Sequence, residues 1–365
     1  MQGFVPLLSD FELVGFTSYG HNFDISGLPF PVRKLFSVQQ LLRARFLWGT
    51  LVRAWGGQYD LVDLRRSLGG FEIVHTAETI YYCTYQAARA KQRSGFKLVV
   101  TVWENIPFLY ESKAVARSKR VIFDSADLFL PVSNKSREAL ILEGAAPKKI
   151  RILSPGLDTE HFHPADKDFR LLKKFGCGLE DRIVLFVGNL SREKGIFDLV
   201  FAFRLLLDRL GEAFPVKLLF AGKGRDADKL VSTIRRLHLE SRTRLVGSYS
   251  YEQMPSIHNL ADVFVLASIP TPTWQEQFGY VLAESMACGK AVVSTTSGSI
   301  PEVVADAGLL VPPNDFVSLA SAIERLLTDD TQRAELGRRG RSQATARFDA
   351  RNVALQLKAH YESLL

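Results

Sequence analysis

Short apolar runs, each four to six residues long, recur along the chain at 11–16, 71–74, 98–102, 183–187, 216–220, 263–266 and 291–294. Several are rich in β-branched residues and carry no polar alternation. Such runs suit strands covered by helices on both faces, the environment of a parallel sheet. Helical patterns lie between them. The clearest, 197–210, places Leu199, Val200, Phe203, Leu206, Leu207 and Leu210 on one face. Strand and helix in regular alternation predict an α/β fold with doubly wound parallel sheets. A chain of 365 residues is long enough for two such domains. The stretch SPGLDTEHFHP, Ser154 to Pro164, is punctuated by Gly156 and prolines, and a fresh strand-turn-helix unit begins at Arg182. A first domain over 1–158 and a second over 159–345 follow.

Composition narrows the class. Hydrophobic residues make up 47%, ordinary for a globular protein. Cys83, Cys177 and Cys288 are scattered without a CxxC pair, which argues against a disulfide framework or a zinc site and fits a reducing compartment. No run approaches the ~18 apolar residues of a spanning helix. The start, MQGFVPLLSDFELV, lacks a basic segment followed by an apolar core, so no secretion signal is expected. The expectation is a cytoplasmic protein, soluble or peripheral at the inner membrane surface.

The net charge of +7 is unevenly placed. Residues 1–155 hold 20 Lys and Arg against 13 Asp and Glu, while the remainder holds 26 of each. An acidic partner for the first half is one reading, and scattered solvated side chains are the other. Residues 33–55 combine Arg33, Lys34, Arg43, Arg45 and Arg53 with a helical apolar pattern. They read either as a helix packed on the sheet or as a surface for peripheral contact with an anionic membrane. Aromatics do not alternate with basic residues, so nucleic acid is not expected as a partner.

Three stretches carry candidate chemistry. In IVLFVGNLSREKGIFDLV, residues 183–200, a buried strand ends at Gly188 and a loop with Asn189, Arg192 and Lys194 leads into a helix. Cations at the C-terminal edge of a parallel sheet suit a diphosphate, although surface loops often carry such residues for no ligand. The spacing GxxxxGK[ST] is absent, which disfavours a nucleoside triphosphatase. In LLFAGKGRDADKL, Gly222 and Gly224 permit close backbone approach to a ligand. The triplet Asp226-Ala227-Asp228 is read as the start of a helix, and no metal site is assigned.

The third stretch is EQFGYVLAES, 276–285, with Glu276 ahead of a helix and Glu284 eight positions later. A carboxylate can accept from two hydroxyls at once, which suits sugar hydroxyls for Glu276 and the vicinal diol of a ribose for Glu284. The bland alternative is an exposed glutamate and a helix-face glutamate. A glycoside hydrolase would use the pair as its two carboxyl groups, but it has no diphosphate for the cationic loop to hold. A nucleotide-sugar uses all three stretches.

The run EQFGYVLAESMACGKAVVSTTSGSIPEVV, 276–304, resembles the nucleotide-sugar signature of the retaining glycosyltransferases of family 4, which have the two-domain GT-B fold. Similar matches hold at VGNLSREKG, AGKG, SPGLDTEHFHP, YEQMPSIHNLADVFVLAS and AGLLVPPND, and through the C-terminal RFDARNVALQLKAHYESL. The likeness covers roughly 71–365 and is dense between 182 and 315. It implies that Glu276 contacts the transferred sugar, that Lys194, with Arg192 beside it, stabilises the leaving diphosphate, and that Glu284 binds the ribose. Gly188, Asn189, Gly222, Gly224, Gln277, Phe278, Gly279 and Tyr280 would line the donor, with Tyr249 near the base. The donor is a substrate and no cofactor or metal is implied. Residues 346–365 would form a helix packing back on the first domain, which would bind a glycan, a lipid-linked or a small-molecule acceptor.

Three departures from the family pattern stand out. Asn189 takes the place of an arginine. Trp103, followed by Glu104, takes the place of a histidine, and with His75 these are the acceptor-side candidates. The first strand and glycine-rich loop of the family find no counterpart in residues 1–10, and 11–16 looks like the second strand. The resemblance therefore implies a transferase of glycan biosynthesis, or else a catalytically impaired nucleotide-sugar-binding or scaffold relative.

Overall fold

A computed structural model describes residues 7, 9–20, 25, 27–37, 60–110 and 112–365. The chain divides into two compact units, Met1–Gly156 with Arg351–Leu365, and Leu157–Ala350. Every strand pair among the described residues is parallel.

The first unit holds a two-stranded sheet of β1 (Gly15–Ser18) and β2 (Val32–Leu35), and a three-stranded sheet of β3 (Ile73–Ala77), β4 (Lys97–Val102) and β5 (Leu128–Pro131). Its helices are α1 (Leu64–Ser67), α2 (Tyr82–Ser94), α3 (Lys113–Ser125) and α4 (Asn134–Leu142). Leu98, Val100 and Val102 of β4 face a core with Ala87, Ala88, Ile122 and Phe129, while Val99 faces the other side. A strand buried on both faces is why β4 reads as unbroken apolar sequence.

Two strands differ from the sequence reading. The ladder of β1 starts at Gly15, not Phe11, and that of β3 runs from Ile73 to Ala77 rather than 71–74. Phe11 and Leu13 pack into the second core instead, with the Phe11 and Tyr361 rings 5.5 Å apart. Phe71 packs edge-on against Phe16 at 5.9 Å. Their apolarity serves packing rather than pairing. Arg33 and Lys34 lie in β2, not in a helix. The rest of the basic amphipathic stretch, from 38 to 55, lies outside the described residues.

The second unit is a six-stranded sheet. Its strands are β6 (Arg182–Val187), β7 (Val216–Ala221), β8 (Thr243–Gly247), β9 (Val263–Leu266), β10 (Ala291–Thr295) and β11 (Gly308–Val311), in the order β11-β10-β9-β6-β7-β8. The order reverses at β6 and β9, the place where ligands bind outside the carboxyl ends of such sheets. Helices α5 (Phe169–Lys174), α6 (Ile196–Leu210), α7 (Ala227–Arg236), α8 (Met254–Asn259), α9 (Tyr280–Ala287), α10 (Ile300–Val304), α11 (Phe316–Thr328) and α12 (Asp330–Phe348) accompany it. Ile183 to Phe186 of β6 and Leu199, Val200, Phe203 and Leu206 of α6 are fully buried. Each such side chain contributes about 1.5–3 kcal/mol by leaving water. Arg341 of α12 donates from one guanidinium nitrogen to the carbonyls of Thr159, Phe162 and Ala287 at 2.8–3.0 Å, tying the entry segment of the unit to the end of α9.

The last helix, α13 (Ala350–Glu362), begins four residues later than the position 346 read from the sequence, because α12 continues to Phe348. Asp349 separates the two and accepts a hydrogen bond from the Thr159 hydroxyl. Val353, Ala354, Leu357 and Tyr361 of α13 complete the second core of the first unit with Leu7, Val99, Leu128 and Leu130.

Candidate functional site

In the second unit the loops after β6, β9 and β10 meet at the C-terminal edge of the sheet. Lys194 closes a single 3-10 turn, Arg192–Lys194, that ends at Gly195. Its Nζ donates to Glu276 Oε2 at 2.8 Å and lies 4.8 Å from the centre of the Trp274 ring. Ser268, just past the end of β9, donates its hydroxyl to the same carboxylate oxygen at 2.8 Å. Glu276 is only 6% exposed, and these two donors help to hold its carboxylate there. Ser268 is itself seated by Thr295, which donates to its carbonyl at 2.6 Å.

The backbone of Glu276 is equally constrained. Its carbonyl accepts from Ser299 N at 2.9 Å. Gly298 passes so close that a Cβ there would sit 1.9 Å from that carbonyl oxygen, and its φ of 57° is in the left-handed region. Only glycine fits both conditions.

Glu284 lies further along, within α9. Its Oε2 is 3.1 Å from His258 Nε2 of α8. Between the two glutamates, Phe278 is buried and packs edge-on against Phe348 at 5.2 Å. Its side chain is core, so any ligand contact there falls to backbone. Gly279 precedes α9 and Tyr280 opens it, exposed at the helix start. Gln277 is half-buried.

The glycines expected to line a ligand mark the edge of the neighbouring strands. A Cβ on Gly222 would meet the Gly188 carbonyl oxygen at 1.8 Å, so the ends of β6 and β7 approach as only glycine allows. Gly224 lies against Leu190 and Asn189. Arg192 is exposed, and its backbone N–H donates to Asp226 Oδ2 at 2.9 Å. Asp226 was expected to cap its own helix; its side chain makes no capping bond there and holds the Arg192 turn instead. Tyr249 donates its hydroxyl to the Val246 carbonyl at 2.9 Å.

In the first unit, the acceptor-side candidates part company. His75 is half-buried, with Nδ1 against the Tyr361 hydroxyl and Nε2 2.7 Å from the Thr101 hydroxyl. Burial pulls its pKa down to about 4. Through Tyr361 it anchors α13 to β3. Glu104 Oε1 accepts from the N–H groups of Asn105 and Ile106, both at 2.9 Å, so it shapes its own loop while burial raises its pKa. The Trp103 N–H donates to Glu78 Oε1 at 2.8 Å.

Glu78 was not anticipated. It follows β3 at the carboxyl edge, is 6% exposed, and adopts a φ of 61° that side chains other than glycine rarely hold. Its Oε2 is buried without a hydrogen-bond partner among the described residues. Burial, reinforced by Glu104, pushes its pKa up to about 7. Ser268, Trp274, Gly298 and His258 were likewise missed. The signal for Glu78 was a carboxylate immediately after a strand end; the others surround the glutamates only in three dimensions.

Two family models together account for most of the chain. Glycosyltransferase Family 4 matches residues 19–161, and glycosyl transferases group 1 matches residues 169–343. The chain belongs to the family-4 glycosyltransferases. It is 32% identical over 267 residues to the D-inositol 3-phosphate glycosyltransferase of Corynebacterium urealyticum, a match covering 70% of this chain and 60% of that protein. The matches thus span about 60–70% of the length of the corynebacterial relatives of that name. A longer match, 26% identical and covering 95% of this chain, reaches 90% of the N-acetyl-alpha-D-glucosaminyl L-malate synthase of Bacillus anthracis. Among solved structures, Anabaena HepE in complex with UDP and glucose superposes with a TM-score of 0.73 at 21% identity, covering 92% of this chain and 86% of that one. That likeness shows the GT-B fold. In this family-4 glycosyltransferase the stretch 276–284 lies at the carboxyl edge of the second sheet. Among the described residues, no helix is long and apolar enough to cross a membrane.

Proposed function

We propose that this chain transfers a sugar from a nucleotide-diphosphate sugar to an acceptor hydroxyl, with the donor held by the second unit. The observation that carries the reading is the Lys194–Glu276 pair at the carboxyl edge of the sheet, with Glu284 about one turn inside α9. A diphosphate beside Lys194 gives the ammonium group a second anion to bind. Glu276 then accepts hydrogen bonds from the hydroxyls of the sugar. Arg192, exposed on the same turn, adds positive charge as the glycosidic bond breaks. Glu284 accepts from the ribose, and Gly188, Asn189, Gly222 and Gly224 let backbone approach the phosphates. Tyr249 borders the base. No metal or cofactor takes part, and retention of anomeric configuration is proposed with the family resemblance.

Acceptor binding is assigned to the first unit, around Trp103, Glu104 and Glu78. The positive excess of residues 1–155 suits an acceptor bearing phosphate or carboxylate, such as those named for the relatives, or a lipid-linked glycan at an anionic membrane surface. A cytoplasmic location fits these substrates.

The test is thermal stabilisation by UDP, GDP, ADP and TDP, since a ligand that binds only the folded state raises the melting temperature. UDP is expected to give the largest rise, since a solved neighbour of the same fold is complexed with UDP. The anomeric configuration of a product, read by NMR, tests retention. A flat response to all four diphosphates would sink the donor assignment.

A further inference from the structure

The two glutamates of the donor stretch are held by different chemistry. Glu276 has a lysine and a serine. Glu284 has His258, whose side chain is fully buried. Nothing in the transfer reaction as proposed calls for a buried histidine.

The surroundings of His258 settle how it meets Glu284. Its ring lies between Phe264, at 5.4 Å, and Phe162, at 6.0 Å. Its Nδ1 is buried and has no hydrogen-bond partner among the described residues. A buried N–H left unpaired is rarer than a buried unpaired acceptor, so the lone pair belongs on Nδ1 and the proton on Nε2. Nε2 then donates to Glu284 Oε2. A carboxylate has about four acceptor directions. One is used by His258, and Oε1 keeps its own for a ligand. A carboxylate fixed by one rigid ring has less rotamer freedom to lose when it binds a diol.

We infer that His258 is a positioning residue that sets the Glu284 carboxylate for the vicinal hydroxyls of a ribose, and so makes the donor site selective for ribonucleotides over 2′-deoxyribonucleotides. The inference rests on the donor reading of Glu284 given above and extends it to a residue on a different helix. His258 touches no ligand. Its effect passes wholly through the orientation of Glu284.

The test is the ratio of dissociation constants for UDP and 2′-deoxy-UDP, measured by calorimetry. In the unsubstituted protein UDP binds about tenfold or more tightly, the worth of one hydroxyl on a charged acceptor. His258→Gln places an amide N–H near the Nε2 position and keeps the preference. His258→Asn carries the same group too short to reach, and brings the ratio to within about twofold of unity. It leaves the affinity for 2′-deoxy-UDP within about twofold. If Asn at this buried position does not fold, His258→Phe refills the pocket without a donor and carries the same expectation. Equal weakening of both nucleotides in the Asn or Phe variant would show a packing role only and overturn the inference. Glu284→Gln separates the two claims. Loss of the preference there, with the preference intact in His258→Asn, overturns the inference and leaves the ribose reading standing. A preference that survives Glu284→Gln, or a protein that binds neither nucleotide, removes the ribose reading itself.

Discussion

Lys194 and Glu276, 82 positions apart in the chain, are bonded to each other at 2.8 Å. Each therefore holds the other in place. Lys194→Ala leaves the Glu276 carboxylate buried with one donor fewer, and is expected to destabilise the second unit by about 1–3 kcal/mol. The same substitution should lower turnover by about 100-fold or more, through loss of charge stabilisation on the leaving diphosphate. Adding Glu276→Gln removes the unpaired charge and should recover most of the stability but none of the turnover. Urea midpoints and product formation, measured on both variants, separate the two roles. A double variant as unstable as Lys194→Ala would refute the pairing argument.

Gly298 supports the same glutamate from the backbone side. Alanine there meets the Glu276 carbonyl oxygen and must hold a φ of 57°. The loop has to move, and the Ser299 N–H to Glu276 O bond moves with it. Gly298→Ala is expected to cost about 2 kcal/mol or more and to abolish stabilisation by UDP. A melting curve with and without UDP checks this. Unchanged UDP stabilisation would mean that the position of Glu276 is not what the ligand reads.

The strands most legible in the sequence were those whose side chains are buried on both faces, such as Ile183 to Phe186, because burial leaves no room for polar alternation. Phe11, Leu13 and Phe71 gave the same apolar signal for another reason. They fill cores from segments that make no ladder, and sequence alone does not separate packing from pairing. Glu276, Lys194 and Glu284 were legible as residue types near predicted strand ends. Their partners were not. Ser268 is one small hydroxyl beside an apolar run, and His258 on a short apolar helix reads as an ordinary core residue. Glu78 was hidden because a single carboxylate after a strand has no pattern; its burial and backbone conformation exist only in the fold.

His75 and Glu78, three positions apart on the first unit, should give opposite pH dependence. His75 has its pKa pulled down to about 4 from 6.5, so the unfolded chain binds the extra proton between these values and stability rises with pH. Glu78 has its pKa pushed up from 4.5 to about 7, so the folded chain keeps the extra proton and stability falls as pH rises through that window. Between pH 4.5 and 6.5 the two slopes cancel. Glu78→Gln should expose the rising slope and His75→Gln the falling one, each about 1.4 kcal/mol per pH unit. Denaturant midpoints across this range test the pair. Parallel profiles for the two variants would show that neither group is shifted as its burial requires.

Trp274 offers a direct view of the Lys194–Glu276 pair. The Lys194 ammonium sits 4.8 Å from its ring centre, close enough for a cation–π attraction of about 0.5–1 kcal/mol. A diphosphate that draws Lys194 toward itself must weaken that contact. UDP is therefore expected to change the emission of Trp274 in a saturable way, with the same dissociation constant that calorimetry gives. Trp274→Phe should remove the change while weakening UDP by no more than about threefold, since phenylalanine keeps most of the ring and a smaller quadrupole. Lys194→Met should remove the change as well, though tryptophan is still present, because no cation is left to move. If the emission change persists in Lys194→Met, UDP perturbs the ring by some route other than this lysine, and the contact would be packing that the donor leaves untouched.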